Sequence, residues 1–395
     1  MGRATPIVVI VCLVLAAVGL FTFGVVLGSI KDMGYESHEP INIQGDSQFA
    51  SIAAQEGWSG NGTHDAPYVI EGYQIQGDSC ISISEADSHF VIYSCDLSSG
   101  ADGSGVYLRQ TPNARIESCT IHSVWCGVYL SYTSGVYIYK DTVHDAALGL
   151  YLDHCNGGMI DSCQITNNGD IGVQLNQSSF CNVSGSTFEW NANAGIVAYD
   201  GSLFLTDNSI FHSQMGVQLV NCSQSGLWDN EISYNQVGTN VLWSGDVHFE
   251  ANTFSHNSEY GLDFYDAPYN CRVYYNRFFD NGIGNARDNG ESNTWDDGYD
   301  RGNYWNDYIG SGVYDIPGTA KSVDRYPMQQ PYVTSSTTTT TALNTGSSST
   351  VTTTTDTAWI DILGTVSTAL QVASVAILVV TAYLFIRRRG SRGHQ

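Results

Sequence analysis

The amino-acid sequence predicts an all-β protein built as a parallel β-helix, with a hydrophobic segment near each end of the chain. A phrase that begins with glycine and then alternates apolar with other residues recurs eight times between Gly105 and Phe264, roughly every 22 residues. A fixed period of this size is the signature of a solenoid, in which each repeat buries its apolar side against its neighbours. Two uncharged runs, from Pro6 to Ile30 and from Val366 to Ile386, flank the repeats, and each is long enough to span a bilayer.

Each repeat is predicted to contain two or three short strands. Phrases such as Gly127-Val-Tyr-Leu alternate with a period of two residues, which is the pattern of a strand. In most repeats a second apolar phrase, such as Ile160-x-x-Cys-x-Ile165, begins eleven residues after the glycine. No helical stretch separates the strands, so the pattern favours a β-helix over a leucine-rich repeat, which needs a helix or a longer connector in each unit.

Stacked coils would place equivalent polar residues in inward-facing ladders, because successive turns lie about 4.8 Å apart. Asparagine suits such positions because it tolerates a left-handed backbone and its stacked amides bond along the column. We therefore interpret these residues as structural and not catalytic. The first ladder is predicted to run through Cys95, Cys119, Asp141, Cys163, Ser186, Asn208, Asn230, Asn252 and Asn276. The second is predicted to run through Asn168, Asn191, Ser213, Asn235, Asn257 and Asn281.

The charge balance restricts the class of partner. The 395 residues include 39 Asp and Glu against 15 Lys and Arg. No basic stripe is available to neutralise phosphates, which argues against nucleic acid. The 41 glycines and 24 tyrosines suit an all-β repeat protein that is rich in turns.

The N-terminal third is divided by hydropathy and by the start of the repeats. Residues 1–5 are predicted to be a cytoplasmic N-terminus, and residues 6–30 a transmembrane anchor or signal-anchor, with a cleaved signal peptide as the alternative. Residues 31–92 would form a linker, an N-terminal cap and the first coil, since an uncapped coil exposes apolar core and strand edges. Phe49, Ile52, Ala53 and Trp58 are assigned to that cap, and residues 93–283 form the β-helix.

The C-terminal part departs from the repeat. Residues 284–332 are rich in Trp, Tyr, Asp and Gly, and we expect Trp295, Tyr304 and Trp305 to cover the last coil, with an exposed sugar platform as the alternative. Residues 333–358 are predicted to form a Thr/Ser-rich stalk, because 18 of the 24 residues from 334 to 357 are Ser or Thr. Residues 359–386 are predicted to be a transmembrane helix and residues 387–395 a basic cytoplasmic tail. The β-helix would then lie outside the cytoplasm, with both termini inside.

Several stretches carry a family resemblance. They are Gly57-Trp-Ser-Gly-Asn-Gly-Thr63 with Pro67-Tyr-Val-Ile-Glu-Gly-Tyr73, the repeated coils, the Trp- and Asp-rich segment 293–307, and Val323-Asp-Arg-Tyr-Pro327. Over about residues 40–332 the chain resembles the NosD family. The resemblance implies a right-handed parallel β-helix related to carbohydrate-binding and sugar-hydrolase domains, in a family often labelled periplasmic copper-binding. The short run 310–315 replaces the Asp/Gly-rich run of many relatives, so we expect no calcium site.

The cysteines indicate buried thiols, since no Cys-x-x-Cys or Cys/His zinc spacing occurs. Cys12 lies in the first hydrophobic run, and nine cysteines follow it. A disulfide between Cys95 and Cys119, on adjacent turns, is an open alternative to two buried thiols. Four sequons are candidates for N-glycosylation: Asn61, Asn176, Asn182 and Asn221.

Function is expected on the outward columns of the coils. Aromatic faces beside amides and carboxylates suit sugar rings, although tyrosine also stacks well on itself for structural reasons alone. One column runs Tyr107, Tyr129, Tyr151, Gln174, Val197, Gln218, Asn240, Asp263. Its neighbour runs Gln110, Tyr132, His154, Gln177, Asp200, Asn221, Trp243, Asp266. The candidate glycan-binding residues are Tyr107, Tyr129, Tyr151, Tyr132, His154, Asp200, Trp243 and Asp266.

Two other functions stay open. Asp207 and Asp229 occupy equivalent outward positions on adjacent turns, and a polysaccharide lyase or hydrolase would need carboxylates placed in this way. Stacked histidines could hold copper, but no third ligand is evident, so no metal or other cofactor is predicted; these pairs are His122 with His144 and His212 with His256. The sequence favours a non-catalytic, membrane-anchored cell-surface protein that binds a polysaccharide, a glycoprotein or an envelope component.

Overall fold

Three parallel β-sheets wind around one apolar core in the computed structural model, which describes residues 34–100 and 102–330. Each coil contributes one strand to each sheet, and the sheets of the described chain have 12, 11 and 10 strands. The prediction of an all-β parallel β-helix, with one repeat of the sequence in each coil, is confirmed.

The predicted membrane segments are not part of this structure. Residues 6–30 and 359–386 lie outside the described residues, as do the stalk and the basic tail. Among residues 34–100 and 102–330, no helix is both long and apolar enough to cross a membrane. The two flanking transmembrane helices therefore stay predictions.

Within each sheet, every strand pairs in parallel with its equivalents in the coils before and after. Sheet 1 comprises Glu36–His38, Tyr73–Gln76, Asp96–Ser98, Thr120–His122, Thr142–His144, Gln164–Thr166, Thr187–Glu189, Ser209–Phe211, Glu231–Ser233, Thr253–Ser255, Arg277–Phe279 and Tyr304–Trp305. Sheet 2 comprises Ile41–Gln44, Ser79–Ser84, Ser104–Arg109, Cys126–Ser131, Leu148–Asp153, Ile171–Asn176, Ala194–Tyr199, Met215–Val220, Val237–Leu242, Tyr260–Asp266 and Gly284–Asp288. Sheet 3 comprises Tyr68–Glu71, Phe90–Tyr93, Ala114–Glu117, Tyr137–Tyr139, Met159–Asp161, Cys181–Ser184, Leu203–Thr206, Gly226–Trp228, His248–Glu250 and Arg272–Tyr274.

The recurring glycine marks a position where neighbouring coils approach closely. A Cβ atom at Gly149 would lie 2.3 Å from the carbonyl oxygen of Gly172 in the next coil and 2.7 Å from Cγ2 of Ile165. A side chain at this place would push the coils apart, so only glycine keeps the spacing of the sheet. The spacing of the glycines in the sequence therefore gives the number of residues in each coil, because each glycine occupies the same position in its strand of sheet 2.

Ladders of buried polar side chains bond one coil to the next. Oδ1 of Asn230 accepts hydrogen bonds from the backbone N–H and from Nδ2 of Asn208 at 3.0 and 2.9 Å. Its Nδ2 donates to the carbonyls of Leu205 and Trp228, both at 3.0 Å. Every member of the first ladder is buried, from Cys95 to Asn276, and Asn235 makes equivalent bonds in the second.

The residue before a ladder position bends the chain. Asp207 and Asp229, which precede Asn208 and Asn230, both have φ of 55°, in the left-handed region. Thirty-one described non-glycine residues share this conformation, which costs roughly 1–2 kcal/mol each for an L-residue. The bend turns the ladder residue into the core and the preceding side chain outward, so the corners of the coil carry exposed side chains.

Both ends of the described β-helix are covered. The helix Gly45–Glu56 lies at the N-terminal end, where the fully buried ring of Phe49 stacks on Tyr68 at a centroid distance of 4.8 Å. At the C-terminal end, Trp305 stacks on Phe278 at 4.4 Å, and Trp295 is fully buried. Buried indoles cannot form an exposed sugar platform. An antiparallel pair of strands, Tyr314–Asp315 and Val323–Asp324, completes this end.

The nine cysteines of the described chain are all buried and free. Cys95 and Cys119 are stacked on adjacent turns without a disulfide, and their thiols donate to the carbonyls of Tyr93 at 3.4 Å and of Glu117 at 3.5 Å. Other thiols donate to backbone carbonyls, as Cys163 does to the carbonyl of Asp161 at 3.3 Å. They pack as small apolar side chains.

We expect Asn230→Ala to lower the free energy of unfolding by about 3 kcal/mol or more, because several buried amide and carbonyl groups lose their partners. Urea denaturation would measure this change. Asn193→Ala is the control, since Asn193 is exposed and the substitution should change stability by less than about 0.5 kcal/mol. Equal effects of the two substitutions would contradict a stabilising role for the ladder.

Asp141→Asn should stabilise the fold and remove one pH dependence. Asp141 is buried in the first ladder and Oδ2 has no hydrogen-bond partner, while burial raises its pKa from 3.8 to about 7. Between these values the unfolded chain has lost a proton that the folded chain keeps, so wild-type stability falls as the pH rises toward 7, by about 1.4 kcal/mol per pH unit. The amide of asparagine places an N–H donor where Asp141 has the unpartnered Oδ2, and it carries no charge. The stability difference between variant and wild type should grow from pH 4.5 to pH 8, and a difference that is constant with pH would refute the assignment.

Candidate functional site

The first predicted column lies on the outer face of sheet 2, in unbroken register. The paired residues are Tyr107, Tyr129, Tyr151, Gln174, Val197, Gln218, Asn240 and Asp263. The ring of Tyr129 lies 5.3 Å from that of Tyr107 and 5.0 Å from that of Tyr151, with interplanar angles of 81° and 50°. Burial raises the pKa of Tyr129 and of Tyr151. These rings cover one another and the sheet more than they form a flat open platform.

The second predicted column lies at the bend between sheets 2 and 3, which we call the outer corner. Its residues have left-handed backbone with exposed or half-buried side chains. In order they are Gln110, Tyr132, His154, Gln177, Asp200, Asn221, Trp243 and Ala267.

The predicted place of Asp266 in this column is wrong by one residue. The strand Tyr260–Asp266 contains one residue more than Val237–Leu242 in the coil before it, and the pairing shifts between Val241 and Leu242. As a result Asp266 pairs with Leu242 inside sheet 2, and Ala267, with φ of 48°, occupies the corner. The small side chain of Ala267 leaves the indole of Trp243 without a large neighbour on that side.

Large aromatic side chains are exposed along the outer corner. Tyr132 is 55% exposed and stacks on His154 at 4.5 Å, and Trp243 is 52% exposed and has no ring neighbour among the described residues. Phe180, which the sequence analysis missed, is 58% exposed with φ of 57°. The two preceding coils have Gly135 and Gly157 at the equivalent position. An aromatic residue in place of these glycines is the sequence feature that could have identified Phe180.

The outer corner is polar between these rings. Nδ2 of Asn221 donates to Oδ1 of Asp200 at 2.6 Å. Both residues line a cavity of about 220 Å³ together with Phe180 and Gln224. The arrangement places an aromatic face beside a carboxylate and two amides within one small cavity.

A second polar group adjoins the outer corner on sheet 2. Oδ1 of Asp153 accepts a hydrogen bond from Nδ2 of Asn176 at 2.8 Å and lies 2.9 Å from Nδ1 of His154. The candidate residue His154 is thereby held between this carboxylate and the ring of Tyr132.

The C-terminal end of the first column contains an ion pair that the sequence analysis did not identify. Nε and Nη2 of Arg287 donate to the two carboxylate oxygens of Asp263, each at 2.7 Å. The guanidinium group also lies over the ring of Tyr260, 4.6 Å from its centroid. Asp263 is only 3% exposed, so this pair anchors the last coils and offers little to a ligand.

The four sequons have accessible asparagines in the described chain. Asn61, Asn182 and Asn221 are exposed, and Asn176 is half-buried. Asn221 lines the cavity at the outer corner, so a glycan attached there would occupy the space that a ligand needs.

Asp207 and Asp229 lie at the bend between sheets 3 and 1, away from the outer corner. Burial, Asp207 and Glu250 together raise the pKa of Asp229.

The stacked histidines bind carboxylates of their own chain. His122 stacks on His144 at 5.3 Å, and its Nε2 lies 3.1 Å from Oδ1 of Asp96. His212 and His256 belong to a ladder of rings with Trp190 and Tyr234 between and beside them. Among the described residues, no group of three or more His, Cys, Asp or Glu side chains is arranged to hold a metal ion.

Short coils that build three parallel sheets define a parallel β-helix protein, and comparison with known families gives the same class. Residues 59–202 match the family model described as right handed beta helix region, and residues 149–310 match that described as periplasmic copper-binding protein (NosD). Together with the parallel coils, these two matches support a NosD-like family of β-helix proteins. The copper in that description has no ligand set among the described residues.

Comparison with solved structures finds similar chains at low identity. The periplasmic alginate epimerase AlgG is 14% identical with a TM-score of 0.44, over 58% of this chain and 62% of the epimerase chain. The A-module of the Azotobacter vinelandii mannuronan C-5 epimerase AlgE6 is 12% identical with a TM-score of 0.44, over 66% of this chain and 81% of that module. The Dettilon tailspike protein is 11% identical with a TM-score of 0.44, over 72% of this chain and 60% of the tailspike chain. No match is found among curated proteins.

Proposed function

We propose that this protein is a non-catalytic, membrane-anchored surface protein whose β-helix lies outside the cytoplasm and binds an elongated glycan along the outer corner. The ligand is a polysaccharide or the glycan of a neighbouring envelope component. Tyr132, Phe180 and Trp243 supply the aromatic faces, and Asp200 and Asn221 supply hydrogen-bonding groups.

The observation that carries this proposal is the left-handed backbone beneath exposed aromatic side chains. Tyr132, Phe180 and Trp243 have φ of 50°, 57° and 48°, a conformation that glycine and asparagine adopt at least cost. Thirty-one described non-glycine residues share this backbone conformation, so the backbone alone does not distinguish these three. A bulky residue gains nothing for the bend itself, and here three of them lie along one corner. Each ring is also more than half exposed, so burial of apolar surface does not explain its presence.

The polar groups between the rings suit a ligand rich in hydroxyl groups. Asp200 and Asn221 are exposed and line the cavity of about 220 Å³ beside Phe180, and their mutual hydrogen bond leaves Oδ2 of Asp200 and Oδ1 of Asn221 for a ligand. From Tyr132 to Trp243 the outer corner spans five coils, which at about 4.8 Å per coil is roughly 24 Å. A surface of this shape fits a chain of sugar rings lying along the axis of the β-helix.

Glycan binding is tested by presenting the full chain to an array of neutral, acidic and amino glycans. Binding to the best ligand should weaken about tenfold or more in the Tyr132→Ala/Trp243→Ala variant, because tenfold corresponds to a loss of only about 1.4 kcal/mol of stacking. Trp190→Ala is the matched control, since Trp190 is equally exposed at 54% and has a left-handed backbone but lies at the bend between sheets 1 and 2, away from the outer corner.

Undiminished binding in the double variant, or an equal loss in Trp190→Ala, would contradict the assignment to the outer corner. Absence of binding to every glycan by folded wild-type protein would contradict the proposed function itself.

The anchored topology is tested separately in cells that express the full chain. The protein should stay with the membrane fraction after alkaline extraction, and protease added outside should digest the β-helix but not the basic tail 387–395. Release of the intact chain by alkaline extraction would contradict the two membrane spans.

A second candidate function, polysaccharide cleavage, is favoured by the raised pKa of Asp229 beside Asp207 and Glu250. A carboxyl group with a raised pKa is protonated over a wider pH range than usual and can act as a general acid toward a glycosidic oxygen. Release of reducing ends from a bound glycan, abolished by Asp229→Asn, would support cleavage over simple binding.

A further inference from the structure

A flat aromatic floor lies on the outer face of sheet 3, away from the outer corner. The six-membered ring of the Trp228 indole lies over Gly226, where a Cβ atom would approach Cη2 to 1.8 Å. The missing side chain of Gly226 therefore lets the indole lie against the sheet with one face toward solvent. Phe204, which pairs with Gly226, extends this floor, with its ring 6.0 Å from Trp228 and inclined by 29°.

Polar side chains of the next two coils form a wall on one side of the floor. The ring of His248 stands at 83° to Trp228 at a centroid distance of 6.0 Å. Tyr274 donates its hydroxyl to Oε2 of Glu250 at 3.1 Å. Nε2 of His248 is buried without a hydrogen-bond partner, since Oε2 of Glu250 lies 3.9 Å away, and burial lowers the pKa of this imidazole. We call the floor and this wall, together with Asp207 and Asp229, the Trp228 patch.

Uncompensated carboxylates border the floor. Asp207 and Asp229 are exposed corner residues on adjacent coils, and neither forms an ion pair within the described chain. Glu250 adds a third carboxylate, and the mutual repulsion is visible in the raised pKa of Asp229, to which burial, Asp207 and Glu250 contribute in that order. A cation at this place would relieve the repulsion.

A cationic side chain stands at the opposite end of the patch. Arg272 continues the column of Phe204, Gly226 and His248 and lies two coils beyond Gly226, roughly 10 Å along the axis. Its charge therefore falls next to His248 and not between Asp207 and Asp229. The patch is negative at one end, aromatic in the middle and able to hydrogen bond at the wall.

We propose that the Trp228 patch binds an amino sugar, with a ring face on Trp228 and the ammonium group between Asp207 and Asp229. The apolar C–H face of a pyranose matches the indole, and a cation over tryptophan gains further electrostatic attraction. The Tyr274–Glu250 pair beside the floor is placed for sugar hydroxyl groups, which a simple alkylammonium ion lacks. The formal net charge of −24 also favours a cationic ligand over an anionic one.

The proposal is tested by calorimetric titration of the full chain with a glucosamine tetramer at pH 6 and with its fully N-acetylated counterpart. The free amine should bind at least tenfold more tightly than the acetylated ligand. Asp207→Asn/Asp229→Asn should remove that preference while keeping weak binding of both ligands, because asparagine tolerates the left-handed bend and lacks the charge.

Gly226→Ala tests the position of the indole without removing any ligand-contacting group. Its Cβ meets the end of a side chain and not backbone, so the coil should fold while Trp228 is displaced, and binding should fall at least tenfold as in Trp228→Ala. Trp190→Ala, at the bend between sheets 1 and 2 and outside both proposed sites, should bind the tetramer as wild type does.

Equal affinity of the two tetramers, or full binding by Gly226→Ala and Trp228→Ala, would overturn the proposal. Loss of binding in Trp243→Ala with retention in Trp228→Ala would assign the amino sugar to the outer corner instead. The Trp228 patch does not depend on the proposed function of the outer corner, and the two sets of variants fail separately.

Discussion

The structure depends on how the backbone is satisfied where each coil turns. Three sharp bends in each coil interrupt the hydrogen bonds of the sheets, and a buried backbone group without a partner costs about 1–3 kcal/mol. Asparagine at the first inward position after the bend supplies hydrogen-bond partners for these backbone groups, because Asn230 and Asn252 each bond to the coils on both sides. Each bond of the column thus requires the coil above it, which makes the ladder cooperative along the axis.

The same bends decide where the surface can carry chemistry. Alternate side chains on the sheets enter the core or pack against equivalent neighbours outside, as Tyr107, Tyr129 and Tyr151 do. The left-handed residue at a bend instead projects its side chain beyond the sheet, and its identity does not affect the core. The packing of the core therefore does not restrict which residue occupies a bend, and backbone strain is the main restriction. A large residue at such a bend needs an explanation other than the stability of the core.

The architecture followed from the sequence because its signals are local and repeated. The glycine phrases locate sheet 2, and the Asn column locates the bends before sheet 1, since each depends on a steric or hydrogen-bonding demand at one position. The site was less accessible. The extra residue in the strand that ends at Asp266 has no signature in the apolar pattern and moved that residue out of the predicted column. Phe180 lies at a second left-handed position between sheets 2 and 3, which the repeated glycine phrases of sheet 2 do not mark. The orientation of the Trp228 indole depends on Gly226, two residues away on the same strand.

Two surfaces with different chemistry on one rigid β-helix have a consequence for how a polymer would be held. The outer corner offers isolated rings and amides, each worth little in binding free energy, spread over several coils. The Trp228 patch concentrates an aromatic face and uncompensated carboxylates in one place. Because both are fixed to the same stack of coils, a long glycan that reaches both would gain avidity from contacts that are individually weak, provided that its cationic groups match the position of the patch. The spacing of charge along the glycan, and not its overall charge, would then decide which polymer is retained.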